Sequence, residues 1–158
     1  MTIADRLVEL GIALPGPFPP HEPLDAVIVH DGRARTSGQL PRGADGVVMH
    51  PGVLGVDVTV DDGAIAADWC ARNALSVLSA ELGGLDRISR VLSVIGFVVS
   101  APGFVEQPAV IDGASRRLFS VFGDAGRHSR SAIGVAALPR GAAVEIEVEV
   151  ALTPSSRV

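Results

Sequence analysis

The chain has no tyrosine, a single cysteine, and aromatic side chains at only 4% of its 158 residues. With Cys70 alone, an internal disulfide and a cysteine-rich zinc site are both excluded. His21, His30 and His50 lack metal-ligand spacing, so no metal is expected. Packing then falls to Val, Ala, Leu, Ile and Gly, small side chains that let sheets and subunits approach closely, and an oligomer fits that composition. Charged residues are sparse as well, at 20%, with a formal net charge of −5. Proteins that work on phosphate backbones carry a basic stripe. Here Arg116/Arg117 and Arg127/Arg130 are modest clusters with acids interspersed, and no nucleic acid is expected as a partner. The longest apolar run, around Val91–Val99, falls far short of the roughly 20 residues that span a bilayer. The opening MTIADRLVELG lacks the basic start and long apolar core of a signal peptide. No membrane and a cytoplasmic location are the expectations. The glycine-rich stretches have neither the dinucleotide nor the P-loop order.

What is present reads as a succession of short elements. Residues 2–11 suit a helix capped by Thr2 and ended by Gly11. A segment with five prolines in eleven residues follows, ALPGPFPPHEP. Ala26–Val29 is an apolar strand, His30-Asp31-Gly32-Arg33 a hairpin turn, and 33–39 the return strand. Residues 41–58 form a loop with a short strand near Gly46–Met49. Thr59 to Leu82 is the clearest helix, with Thr59 as N-cap, Asp61 and Asp62 in the first turn, and Ala67, Ala71, Ala74, Leu75, Leu78 and Leu82 in one apolar stripe. The small residues of its early turns suit close approach to a sheet. Cys70 and Trp69 on this helix read as packing residues. Arg90–Ser100 is nearly continuously apolar and reads as a central strand buried on both faces. A second helix fits 107–122, with Pro108 in its first turn and Gly113 as a possible break. The last third reads as a hairpin: SAIGVAAL, the turn PRGA, then AVEIEVEVAL, in which Val144, Ile146, Val148 and Val150 alternate with Glu145, Glu147 and Glu149. No internal repeat is apparent. The order describes an α+β sheet with two main helices packed on one face.

Three segments resemble the RidA (YjgF-like) family, also labelled L-PSP endoribonucleases. They are Ser37-Gly38-Gln39-Leu40-Pro41, Arg130-Ser131 with Leu138-Pro139 downstream, and Val144-Glu145-Ile146-Glu147. Their order and spacing match over roughly residues 24–150, so the chain reads as one domain with residues 1–24 as an extension. Stretches such as Gly113-Ala114-Ser115 and Gly126-Arg127-His128 are similar to a longer branch of the family. The resemblance implies a chorismate-mutase-like fold, a homotrimer with clefts between subunits, and no cofactor. It implies hydrolysis of 2-imino acids to 2-keto acids and ammonia. By the same resemblance Arg130 holds the substrate carboxylate, the Ala132 N–H assists it, Glu145 orients the attacking water, and Ser37 lines the cleft. Two positions depart from the pattern. Leu24 or a neighbour stands where the family has tyrosine, and Asp112 stands near a substrate-side asparagine, where its carboxylate would repel the substrate's.

Arginine's planar fork suits bidentate binding of a carboxylate beside a C=N carbon. A partly buried glutamate suits water activation. If PRGA closes a hairpin, Glu145 faces residue 136 and Arg130 lies six residues further along, about 20 Å away. One subunit then cannot bring both to one small substrate, and the site must join two subunits. Two other functions fit the same residues: a non-catalytic trimer that binds small carboxylates, and, against the acidic charge, an endoribonuclease. A Ser-His-acid site at His128 and Ser129 is disfavoured, because adjacent residues rarely face each other and no nucleophile elbow is present.

Overall fold

The computed structural model describes residues 1–154. Thr2 and Asp5 open helix α1 (Ile3–Glu9) with a capping box, the Asp5 N–H donating to Thr2 Oγ1 and the Thr2 N–H to Asp5 Oδ2. The extension is therefore structured. Ile3 and Leu7 pack against the core, and Arg6 Nε donates to the Ser120 carbonyl.

Strands β1 (Val27–His30) and β2 (Arg33–Thr36) meet through Asp31 and Gly32, both at positive φ (47° and 72°), as an Asp-Gly hairpin turn requires. The return strand stops at Thr36, earlier than Gln39, although Gln39 still bridges to Ile146. Instead of a short strand at 46–49 there is one bridge, Arg42 to Val48. Helix α2 (Val60–Leu82) begins where Thr59 Oγ1 accepts from the Asp62 N–H and ends at Gly83. All six residues of its expected stripe are buried, and so is Cys70.

Strand β3 (Ile88–Val99), helix α3 (Gln107–Phe122), strand β4 (Ser129–Val135) and strand β5 (Val144–Leu152) complete the chain, and the sheet order is β1-β2-β5-β3-β4. The expected terminal hairpin is not there. β4 runs parallel to β3, and β5 crosses over to lie antiparallel between β2 and β3. Burial explains the choice. β5 presents Val144, Ile146, Val148 and Val150 to the helices, all essentially fully buried, and a strand with such a face belongs at the sheet centre. β4, with exposed Ser129, Ser131 and Ile133, is better suited to an edge. Central β3 is buried on one face only. Val94, Gly96 and Val98 turn toward the helices, while Ser93, Ile95 and Phe97 are half-buried on the other face.

Gly113 does not break α3. It is the point where α3 crosses α2, and a Cβ there would overlap the Ala64 carbonyl oxygen. The small residues early in α2 thus serve helix–helix contact as well as sheet packing. Overpacking of this kind costs about 1–3 kcal/mol. Gly113→Ala is expected to lower the free energy of unfolding by that amount in urea titration, and a variant as stable as the parent would refute the tight crossing.

Candidate functional site

Alternation along β5 sends Glu145, Glu147 and Glu149 to the face of the sheet away from the helices. Two of these carboxylates are paired. Arg35 Nη2 donates to Glu147 at 2.7 Å, and Arg33 Nη1 to Glu149 at 3.3 Å. Such exposed pairs contribute about 0–1 kcal/mol and call for no further role. The Glu145 carboxylate has no hydrogen-bond partner among the described residues. Its carboxylate lies over Gly38, where any Cβ would overlap it. The glycine of the Ser-Gly-Gln segment therefore makes room for this acid. Burial, then the charge of Glu147, pushes the Glu145 carboxyl above the usual range, with Arg42 opposing.

Glu145 lines a cavity of about 320 Å³ together with Leu24, Ser37, Gln39, Arg42 and Arg140. Backbone pairing of Gln39 with Ile146 holds this segment against β5. The Ser37 hydroxyl donates to the Asp25 carbonyl at 2.7 Å, which leaves its oxygen free to accept. Three expected site residues, Leu24, Ser37 and Glu145, thus meet in one place.

Arg130, Asp112 and Ala132 meet elsewhere. On β4, Arg130 pairs with Val94 and Ala132 with Gly96, both core-facing, so these side chains point to the helical face. Arg130 Nη1 donates to Asp112 Oδ1 at 2.8 Å and to Ser115 Oγ at 3.1 Å, both on α3. Asp112 is therefore the partner that orients the guanidinium, with its charge compensated there. His128 extends the network. Its Nδ1 lies 2.6 Å from the Gly126 carbonyl, which can only accept, so Nδ1 carries a proton. In the neutral ring Nε2 then accepts from the Ser115 hydroxyl at 3.0 Å. Ser129 takes no part in this; its hydroxyl donates to the Leu92 carbonyl. Arg130 opens on a cavity of about 430 Å³ lined also by Phe119, Arg127 and His128. A larger groove of about 510 Å³ between α2 and α3 contains Asp68, which is already bound by Arg72 and Arg117, and none of the expected site residues.

The two half-sites lie on opposite faces of one sheet. Glu145 faces Phe97 on β3, not residue 136, while Arg130 lies beside Val94. They are separated by about 10 Å along the strands, about 9–10 Å across them, and the sheet itself. Within one chain the intervening sheet, not a hairpin, keeps Arg130 and Glu145 from reaching one small molecule.

Sequence reasoning overlooked Arg42 and Arg140. Arg42 stacks over the Phe18 ring at 4.0 Å, and the buried Asn73 donates to its carbonyl at 2.8 Å. Burial, then the charge of Arg140, lowers the Arg42 pKa. Arg140 is held in the left-handed region (φ 59°, ψ 20°), a conformation that costs a non-glycine residue about 1–2 kcal/mol. A signal was present: the pentapeptide Leu-Pro-Arg-Gly-Ala occurs twice, at 40–44 and 138–142. Ser115 and His128 were also missed as partners of Arg130. Among the described residues, no three His, Cys, Asp or Glu side chains are grouped to hold a metal ion, and no helix is long and apolar enough to cross a membrane.

Comparison with known proteins shows relatives in sequence and in fold. Residues 4–146 match the model of the family described as "YjgF/chorismate mutase-like, putative endoribonuclease". Protein TCP17 of Trypanosoma cruzi is 44% identical over 151 residues, 95% of this chain and 94% of its own. The crystal structure of protein Atu1372 of Agrobacterium tumefaciens, of unknown function, is similar with a TM-score of 0.88 at 40% identity, covering 97% of this chain and 94% of that one. A "putative endoribonuclease" of Shewanella oneidensis MR-1 gives a TM-score of 0.91 at 30% identity, covering 96% and 100%.

The raised Glu145 pKa has a thermodynamic consequence. The folded state holds this proton more tightly than the unfolded chain, whose value is near 4.5. Stability is therefore lost as pH rises from that value through the folded one. Glu145→Gln is expected to raise the urea midpoint at about pH 7 and to leave it unchanged at about pH 3. A midpoint equal to or below wild type at neutral pH would contradict the assignment.

Proposed function

Because the chain belongs to the YjgF/chorismate mutase-like family, we propose that it hydrolyses reactive 2-imino acids, or their enamine tautomers, to 2-keto acids and ammonia, in a cleft completed by two copies of the chain. The observation that carries this reading is the division of the site. One face of the sheet holds a desolvated, unpaired carboxylate, Glu145, beside Ser37. The other holds an arginine, Arg130, gripped at Nη1 by Asp112 and Ser115. Each half lacks what the other has, and in a homo-oligomer the same two surfaces meet. The sheet face away from the helices carries Ile95, Phe97 and Ile133, the last 44% exposed, with no helix over them among the described residues. Such an apolar face favours association, and a closed trimer uses it in every subunit.

In this cleft Arg130 binds the substrate carboxylate through its guanidinium edge, with the Ala132 N–H beside it. Asp112 and Ser115 fix the orientation of that edge. Glu145 takes a proton from water as the water oxygen attacks the C=N carbon, and returns a proton to the nitrogen. The carbinolamine then collapses, the C–N bond breaks, and ammonia leaves with the 2-keto acid. A carboxyl group whose pKa is raised toward neutrality serves better in both directions of proton transfer than an exposed one.

A second reading, carboxylate binding without turnover, is favoured by Leu24, which lines the Glu145 cavity where a phenol would offer a hydrogen bond. Ribonuclease activity, named in the family description, fits poorly with a net charge of −5.

Ammonia release from 2-imino acids generated in situ by an amino-acid oxidase tests the reaction. Wild type is expected to exceed the spontaneous rate. Arg130→Ala should lose on the order of tenfold to a hundredfold in kcat/KM, the worth of a charge-assisted hydrogen bond pair. Glu145→Gln should lose on the order of a hundredfold or more. No acceleration by wild type for small or large side chains leaves the binding reading. The shared site has its own test. When Arg130→Ala and Glu145→Gln chains are co-refolded in equal amounts, about one cleft in four regains both groups, and activity should return. Mixtures as inactive as either parent would rule out a cleft built from two chains.

A further inference from the structure

The Glu145 cavity contains two arginines that the reaction above does not use. They come from the two copies of the Leu-Pro-Arg-Gly-Ala segment, one following β2 and one preceding β5. Both side chains line the same cavity. Three features there are unfavourable in the isolated chain. Arg42 Nε is buried and has no hydrogen-bond partner among the described residues, although a buried donor normally finds one. Arg140 is a non-glycine residue in the left-handed region, followed by Gly141 at positive φ as well. The two guanidinium charges repel each other closely enough to perturb Arg42. Strain, an unmet donor and like charge converge on one cavity, and such coincidences mark ligand sites more than they mark scaffolding.

The surrounding structure holds the Arg42 side chain and the backbone turn that carries Arg140. Phe18, from the proline-rich segment, stacks on the Arg42 guanidinium, and buried Asn73 anchors the Arg42 carbonyl. The Arg140 turn is tied by the Gly52 N–H donating to the Gly141 carbonyl at 3.0 Å. Preorganised guanidinium groups bind carboxylates well because little side-chain freedom is left to lose. The one carboxylate in the cavity, Glu145, offsets part of the charge on Arg42 but is hydrogen-bonded to neither arginine among the described residues, and one carboxylate balances only one of two guanidinium charges.

We propose that Arg42 and Arg140 form an anion subsite, and that the substrate carries a second carboxylate on its side chain besides the one held by Arg130. The substrate class is then the imines of acidic amino acids. This rests on the reading of the cleft given above, but the subsite can be tested without catalysis. A stable dicarboxylate, glutarate, and its monocarboxylate counterpart, butyrate, serve as probes, with affinities measured by calorimetry at low ionic strength. Wild type should bind glutarate at least about tenfold more tightly than butyrate, the worth of roughly one charge-assisted contact. Arg140→Gly relieves the backbone strain, so its melting temperature should equal or exceed that of wild type while the preference for glutarate falls severalfold. Arg42→Gln should also reduce the preference.

The subsite is overturned if wild type binds the two acids equally or binds neither, or if the preference survives both substitutions. The outcomes also separate this proposal from the reaction. A glutarate preference that Arg140→Gly removes, in a protein with no imine hydrolysis, upholds the subsite and discards the reaction. Hydrolysis of neutral and acidic 2-imino acids at equal kcat/KM, with no glutarate preference, upholds the reaction and discards the subsite.

Discussion

The insertion of β5 between β2 and β3 decides which side of the sheet each functional group occupies. A strand alternates its side chains with a period of two, so burying Val144, Ile146, Val148 and Val150 under the helices turns Glu145 outward. A slip of one residue would send the glutamates into the core, where unpaired charge is prohibitively costly. The same ladder orders the loop after β2. Gln39 pairs with Ile146, which brings Ser37 and Gly38 beside Glu145. Gly38 then leaves the space that the carboxylate fills.

β3 carries the complementary decision on its other edge. Its parallel pairing with β4 sets Arg130 level with core-facing Val94 and so under α3. There the guanidinium meets Asp112 and Ser115, and through Ser115 the His128 ring. The sheet is thus a partition between the Glu145 carboxylate and the Arg130 guanidinium. The cleft proposed above is the arrangement of two chains that would bring these opposite faces together.

The proline-rich segment after α1 acquires a role in this picture. Phe18 stacks on Arg42, and Leu24 lines the Glu145 cavity. α1 ties the start of the chain to α3 through Arg6 and Ser120, and to the loop before β3 through the Ile3 N–H and Asp86. The extension thus forms part of the cavity wall while Ile3, Leu7 and Ile12 pack with the core.

Local patterns in the sequence were enough for most elements. Caps at Thr2 and Thr59, the Asp31-Gly32 turn, the alanine-leucine stripe of α2 and the 107–122 helix all rest on interactions within a few residues, which composition and spacing expose directly. The motif residues Ser37, Arg130 and Glu145 were legible as candidates only through their resemblance to the RidA (YjgF-like) family, not through composition or spacing. Strand order was not. A four-residue turn, PRGA, between two apolar segments reads as a hairpin, and only competition for the sheet centre, settled by burial, sends β5 past β3. The repeated Leu-Pro-Arg-Gly-Ala segment sets Arg42 and Arg140 apart, but it does not show that side chains 98 positions apart share one cavity. Their meeting in one cavity depends on β2 lying beside β5, a long-range pairing that no local pattern encodes.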